Sequence, residues 1–439
     1  MSELFDQLQE EAGLALTERA IGRVAAVRGL SVFASSLPAP IGARCRILTR
    51  RHGVRAAEIV GTTGDRAVLT VYGEITGVSP DDPVECVSGP PRVAVGWDLL
   101  GRVLNARGEP IDGRTAPLLN RRYPLERAAP APLDRREIDE PLALGVRSID
   151  GLLTAGRGQR LGIFAGAGVG KSVLMGMICR NTAAQVNVVA LIGERGREVG
   201  DFLRHQLGET GLARSVVVVC TSDDAAAARI EACYRAQAIA EFFRDQGQDV
   251  LLLVDSLTRV AMGQRQIGLA AGEPPTSKGY PPSVFALLPR LLERAGRTQQ
   301  GSITGLYTVL VEGDDLDDPL GDAARSILDG HIVLSRKLAN RGHFPAVDVL
   351  ASISRVATDV QSADHRKAAG AIRRLIADWR EIEDLVSIGA YAPGSNRAYD
   401  LAFKLRDAVE MLLRQNQDDR CELAETLKAM GALEAATRA

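Results

Sequence analysis

The sequence predicts an α/β protein: a mostly parallel sheet covered by helices, preceded by a small N-terminal β-barrel and followed by a C-terminal helical domain. Three observations predict this. Between about residues 142 and 354, apolar runs alternate with helical stretches, the order that builds a parallel sheet covered on both faces. From Ile21 to about Val95, short β-rich runs are separated by Gly, Pro and Asp turns. From Ala368 onward, apolar residues recur at helical spacing.

The chain's 439 residues are too many for one ordinary domain and fit two or three, each able to bury a core. A formal charge of -2 supplies no global positive field to pull the protein onto nucleic acid. The six cysteines contain no C-x-x-C pair and no nearby histidine cluster, so they are expected to be buried thiols rather than zinc ligands or disulfides. Glu3, Asp6, Glu10 and Glu11 stand where a secretory signal would carry basic and then apolar residues. No apolar run approaches the length of a membrane span, so the expected location is cytoplasmic, with docking on a membrane complex still open.

In residues 1–20, Leu4, Phe5, Leu8 and Ala12 share one side of a helix among acidic residues. This reads either as a partner-binding helix or as a terminus without fixed structure. Residues 21–95 hold the barrel, with strands expected at Cys45 to Thr49, Ala56 to Val60, Ala67 to Tyr72 and Val84 to Val87. Residues 96–141, with Pro124, Pro130, Pro132 and Pro141, read as an irregular connector. Residues 142–360 carry the sheet: Arg160 to Phe164, Val186 to Ile192, Val216 to Cys220, Val250 to Val254, Ile303 to Val311 and Ile332 to Leu334 are its expected strands, and Ala225 to Arg244 an intervening helix. In residues 361–439, Ile372, Leu375, Ile376, Trp379 and Ile382 form one helical stripe, and Leu401, Leu405, Ala408 and Leu412 a second. No repeat of solenoid length is evident.

Chemistry concentrates in Ala165-Gly166-Ala167-Gly168-Val169-Gly170-Lys171-Ser172-Val173, between an expected strand and an expected helix. Glycines at alternate positions let backbone N–H groups converge on a phosphate chain, and the helix N-terminus faces it with positive charge. Lys171 is expected to meet the β- and γ-phosphates, and Ser172 to hold magnesium. Ala165 departs from the strict pattern, which has glycine there. The apolar strand Val250 to Val254 ends in Asp255, which would hold magnesium through water. Another apolar strand runs into Gly193-Glu194-Arg195-Gly196-Arg197-Glu198. Glu194 could reach the attacking water, and Arg195 and Arg197 could steady it or the phosphates, but spacing alone leaves Glu194 and Glu198 open as the base.

Several motifs, in order, then carry a family resemblance over nearly the whole chain. They are Gly166 to Ser172, Ile192 to Val199, Asp255-Ser256-Leu257-Thr258-Arg259, Gly272-Glu273-Pro274-Pro275, Gly279 to Phe285, and Pro345 to Arg355. The sequence resembles the hexameric protein-export ATPases of type III secretion, flagellar and injectisome, which are similar to the catalytic subunits of F-type rotary ATP synthases. The resemblance implies a RecA-like core that binds ATP and Mg2+. It implies that Glu194 is the catalytic glutamate, Arg195 its neighbouring active-site arginine, and Arg355 an arginine finger reaching the adjacent subunit's nucleotide. Phe344 falls where relatives often have a tyrosine that packs on adenine, and its ring face keeps the stacking. Tyr391 is a candidate for the other side of the base, or else a core or interface tyrosine.

The resemblance further implies a homohexamer that hydrolyses ATP while releasing chaperones and unfolding export substrates. Implied partners are a stator-like regulator at the N-terminus, a central coiled-coil stalk, export chaperones and their substrates, and the inner-membrane export gate, docked peripherally. The loop from Gly272 to Val284 would line the central hole. The run Arg380-Glu381-Ile382-Glu383-Asp384 would touch the stalk, or else form a solvated face. A ring-type nucleic-acid motor is disfavoured by the net charge and by the lack of interleaved aromatic and basic residues in the barrel. A catalytic subunit of a rotary ATP synthase is the other alternative. The run Lys171 to Met177 looks closer to the flagellar type than to the injectisome type.

Overall fold

The computed structural model describes residues 20–438 apart from Leu30, residues 88–90 and residues 312–317. The candidate partner helix at 1–20, all but its last residue, therefore lies outside the described residues. The barrel is built from β1 (Ile21–Arg28), β2 (Ser31–Ser35), β3 (Arg44–Thr49), β4 (Gly53–Thr63), β5 (Arg66–Val71) and β6 (Pro83–Cys86), closed in the order β1-β2-β5-β4-β3-β6. Alternate residues point inward, so Val24, Val32, Ile47, Ile59, Leu69 and Val84 fill the interior. The first two strands have no counterpart in the sequence reading. Their alanines, serines and arginines give weak local signals, and closure against β5 and β6 orders them.

The connector is more regular than its composition suggests. β7 (Arg92–Val95) pairs antiparallel with β9 (Arg121–Pro124), and between them β8 (Arg102–Asn105) joins the edge of the central sheet. That sheet continues with β10 (Arg160–Ala165), β11 (Val186–Glu194), β12 (Ser215–Thr221), β13 (Asp249–Asp255), β14 (Gly296–Arg297), β15 (Ser302–Leu310), β16 (Gly330–Val333) and β17 (Ile353–Ser354). Its order is β17-β16-β10-β15-β13-β11-β12-β8, with β14 paired to β15. All neighbours are parallel except β17 against β16 and β14 against β15.

The helices include α1 (Arg147–Leu152), α2 (Lys171–Asn181), α3 (Gly196–Asp201), α4 (Ala226–Asp245), α5 (Leu257–Ala270), α6 (Pro282–Leu292), α7 (Pro319–Ile327), α8 (Arg336–Asn340), α9 (Ala363–Ser387), α10 (Arg397–Leu413) and α11 (Leu423–Ala436). Alternation along β11 shows how they sandwich the sheet. Val188, Ala190 and Ile192 pack toward α4, α5 and α6, whereas Val189 and Leu191 pack toward α2 and the C-terminal helices. The stripes expected on α9 and α10 accordingly join the core that holds the phosphate-loop helix. This packing sets a cleft between α2 and the C-terminal helices.

Candidate active site

Parallel strands deliver their C-terminal ends to one edge, and there β10, β11 and β13 bring Lys171, Glu194 and Asp255 together. β10 ends at Ala165, which is buried and in register with Leu310, and whose carbonyl accepts from Val311 N–H at 3.0 Å. An extended strand residue needs no glycine, which explains the departure at Ala165. Gly168 and Gly170, in contrast, have φ of 77° and 88°, conformations that favour glycine. Gly170 caps α2, whose first residue is Lys171. Arg336 Nη1 holds the loop from outside by donating to the Ala167 carbonyl at 3.2 Å.

Lys171 Nζ is ion-paired with Asp255 Oδ1 and lies 3.7 Å from Glu194 Oε1. Asp255 is buried, and its Oδ1 also accepts from Thr308 Oγ1 at 2.6 Å. Burial pushes the Glu194 carboxyl up to about 7; the Asp255 and Glu198 carboxylates add to the rise, and Lys171 opposes it. Glu198 lies beside Glu194 but closer to solvent. Its side chain is 52 % exposed against 16 % for Glu194, and it pairs with Arg195 at 3.7 Å. Geometry thus separates two carboxylates that spacing could not. Arg195 is 82 % exposed and is not brought to Lys171 and Asp255 within this chain.

One arginine quoted only as part of a motif proves to be packed into the site. Gly193 has φ 74°, and a Cβ there would lie 2.8 Å from the stem of Arg259 on α5. Glycine lets Arg259 cross the strand end beside Glu194. Thr308 and Gln415 were missed altogether. Thr308 had no distinguishing sequence signal, since Ser302, Thr304 and Tyr307 in the same strand also carry hydroxyls. Gln415, buried just after α10, donates its N–H to the Phe344 carbonyl at 2.9 Å and its side-chain amide to the Gly145 carbonyl at 2.9 Å. It accepts from Arg147 N–H at 3.0 Å.

The ring of Phe344 lies over the phosphate loop, with its carbons 3.4 Å from where a Gly170 Cβ would stand. It is part of a cleft of about 800 Å³ whose wall includes Val173, Met177, Met411 and Gln415, a size that suits a nucleoside. Tyr391 does not line this cleft. It lies in the turn between α9 and α10, where its hydroxyl donates to Asp400 at 2.8 Å, so the chain does not bring it to the base position beside Phe344. Arg380, Glu381 and Glu383 likewise turn to their own chain, pairing with Asp348, Tyr399 and Arg341. Arg380, Glu381 and Asp384 nonetheless remain exposed, as on a solvated face.

Arg355 is exposed just after β17, where Ser354 is in register with Gly330 at the start of β16. The phosphate loop follows the opposite end of β10. Arg355 N–H donates to the Asp329 carbonyl, and Asp329 N–H to that of Arg160, the first residue of β10. A strand rises about 3.3 Å per residue, so the length of β10 keeps Arg355 roughly 15 Å or more along the strands from its own Lys171.

The oxygen donors present suit magnesium. Ser172 lies in the first turn of α2, and Asp255 offers Oδ2, the oxygen that carries neither the lysine nor the threonine bond. Magnesium takes few protein oxygens and keeps waters and phosphate oxygens, and no cluster of three or more His, Cys, Asp or Glu fit for a metal occurs among the described residues. Among the described residues, no helix is long and apolar enough to cross a membrane.

Comparison with known proteins agrees with this geometry. Residues 145–354 match the ATP synthase alpha/beta family, nucleotide-binding domain, and residues 361–432 match the T3SS EscN ATPase C-terminal domain. The chain is 50 % identical to the flagellum-specific ATP synthase of Bacillus subtilis, covering 94 % of each chain. It is 49 % identical to the type 3 secretion system ATPase of Xanthomonas euvesicatoria, covering 96 % of each. Among solved structures, the assembled ATPase EscN of the enteropathogenic E. coli type III secretion system aligns with a TM-score of 0.89 at 43 % identity, over 94 % of this chain and 100 % of that one. The same ATPase in complex with its central stalk EscO aligns with a TM-score of 0.87 at 43 % identity, with the same coverage.

Proposed function

The chain belongs to the ATP synthase alpha/beta family, in the group formed by flagellum-specific and type III secretion ATPases, and from that membership we propose that it is the Mg-ATP-hydrolysing motor of a protein-export apparatus. The flagellar type is favoured over the injectisome type by the run Lys171 to Met177. The cargo reading is release of chaperones and unfolding and delivery of export substrates.

The observation that carries the reading is the convergence of Lys171, Glu194 and Asp255 at one sheet edge while Arg355 stands at the other end of the strands. Lys171, paired here with Asp255, would meet the β- and γ-phosphates of bound ATP. Ser172 and Asp255 Oδ2 would hold magnesium, which when bound offsets charge on the phosphate oxygens. Glu194, at the mouth of the loop, would orient the water and take its proton; Phe344 would stack on the base. Arg355 would complete the site of an adjacent copy, so identical subunits would close a homohexameric ring with an active site at each interface.

A central stalk would enter past the loop Gly272 to Val284, whose exposed tip is braced by Thr276 Oγ1 donating to the Tyr280 carbonyl and by Glu273 accepting from Ser283 N–H. A stator-like regulator at the N-terminus and peripheral docking at the inner-membrane export gate complete the proposed setting, with no nucleic acid involved.

The reading is tested by complementation in cells lacking their own flagellar export ATPase, with phosphate release measured on the purified chain. Restored secretion by the wild type and none by Glu194→Gln, at equal protein levels, is the expected result. Secretion driven equally by the Glu194→Gln variant would overturn it. RNA-stimulated hydrolysis with tight, salt-sensitive RNA binding would favour the nucleic-acid motor instead.

A further inference from the structure

The carboxylate of Asp255 receives two donors on the same oxygen. Lys171 Nζ reaches Oδ1 from α2, and Thr308 Oγ1 reaches it from β15 at 2.6 Å. The two donors differ in what they can do afterwards. Lys171 ends a long flexible stem and would leave Asp255 for a phosphate. Thr308 sits inside the sheet, fully buried at 0 % exposure, paired in register with Ile163 of the strand that leads into the phosphate loop. Its β-branched side chain has little rotamer freedom, and its hydroxyl has a single proton to give.

We infer that Thr308 is a positioning residue that fixes the Asp255 carboxylate with Oδ1 turned into the sheet and Oδ2 turned outward to the magnesium of bound Mg-ATP. This rests on the reading of the site as a magnesium–nucleotide site. While Lys171 holds Oδ1, the threonine bond is redundant. Once Lys171 moves to phosphate, Thr308 is the one donor described on the carboxylate, and without it Asp255 would be free to rotate about its last torsion and follow the lysine. The threonine thereby keeps the two jobs apart, with Lys171 on phosphate and Asp255 on the metal's water. Partners of this outer kind typically alter metal affinity about 10- to 100-fold when removed.

The test is Thr308→Val, which keeps the β-branched shape and removes the hydroxyl, with Thr308→Ser as the variant that restores it. Binding of a fluorescent non-hydrolysable ATP analogue is titrated against magnesium for the wild type and both variants, and again in chelator. Thr308→Val is expected to need about 10-fold more magnesium for half-maximal binding. Its affinity in chelator and its melting temperature without ligand should match the wild type, and Thr308→Ser should return the magnesium midpoint toward the wild-type value. An unchanged midpoint in Thr308→Val overturns the inference. So does equal weakening with and without magnesium, which marks a merely structural role. Wild-type binding that ignores magnesium fails the site reading itself, a result distinct from either. If Thr308→Val does not fold, Thr308→Ser and Thr308→Ala are read in the same titration, and a midpoint equal to wild type in Thr308→Ala has the same overturning force.

Discussion

As the proposed base, Glu194 has to meet two opposed demands. A general base must be able to take a proton near neutral pH, yet a carboxylate in water is too weak a base to do so. Burial beside Asp255 and Glu198 raises it to about 7, where capacity and driving force balance. Below this value Glu194 is protonated, and as the proposed base it could not then take a proton. kcat/KM for ATP should therefore climb as pH rises through about 7 and level off above it; a profile flat from pH 6 to 8 would remove the base role. Glu194→Gln keeps the shape and loses the base, so kcat should fall by about 100- to 10,000-fold while the ATP analogue still binds. Phe344→Ala should cost about 1 kcal/mol of stacking, read as a rise in the KM for ATP of roughly fivefold. Phe344→Tyr should leave KM near the wild type, and isothermal titration with the analogue checks both.

At the scale of elements, the strand ends decide how much was legible. Val250 to Val254 and Val188 to Ile192 announced themselves because buried parallel strands are continuous apolar runs, and the residue after such a run lies at the sheet edge. Asp255 and the pair Glu194 or Glu198 were therefore readable. The choice within that pair came from the family resemblance and not from spacing, since locally it depends on how α3 turns Glu198 to solvent. Thr308 and Gln415 were illegible for a related reason: each works by reaching an element distant in sequence. Tyr391 stayed open between the base and a core or interface place because a ring near the end of α9 has no sequence mark of which way the turn carries it. The element that matters most for assembly is β17. It places Arg355 at the strand end remote from its own phosphate loop, so Arg355→Ala should depress hydrolysis about 1000-fold with little loss of nucleotide affinity. Mixing that variant with Glu194→Gln should recover part of the activity, because some interfaces would pair an intact Glu194 with an intact Arg355. Proven co-assembly with no recovery would deny a finger acting between subunits.

At the scale of the whole molecule, the proposed completion of the site by a second copy predicts that nucleotide and assembly help each other. Size-exclusion with light scattering should show a shift toward the ring on adding the non-hydrolysable analogue with magnesium; identical mass distributions with and without it would refute the coupling. The segment between barrel and sheet sets a further limit on what parts of this chain can exist alone. Because β8 lies at the edge of the central sheet, the boundary suggested by composition at Leu142 falls inside a folded unit. A fragment begun there would present the bare edge of β12, a strand of buried valines, to solvent and to other copies of itself. Such a fragment should accumulate in inclusion bodies, whereas one begun near Arg92, which retains β7, β8 and β9, should stay in the supernatant. For anyone trimming this protein to a minimal enzyme, the place to cut is ahead of the prolines, not after them.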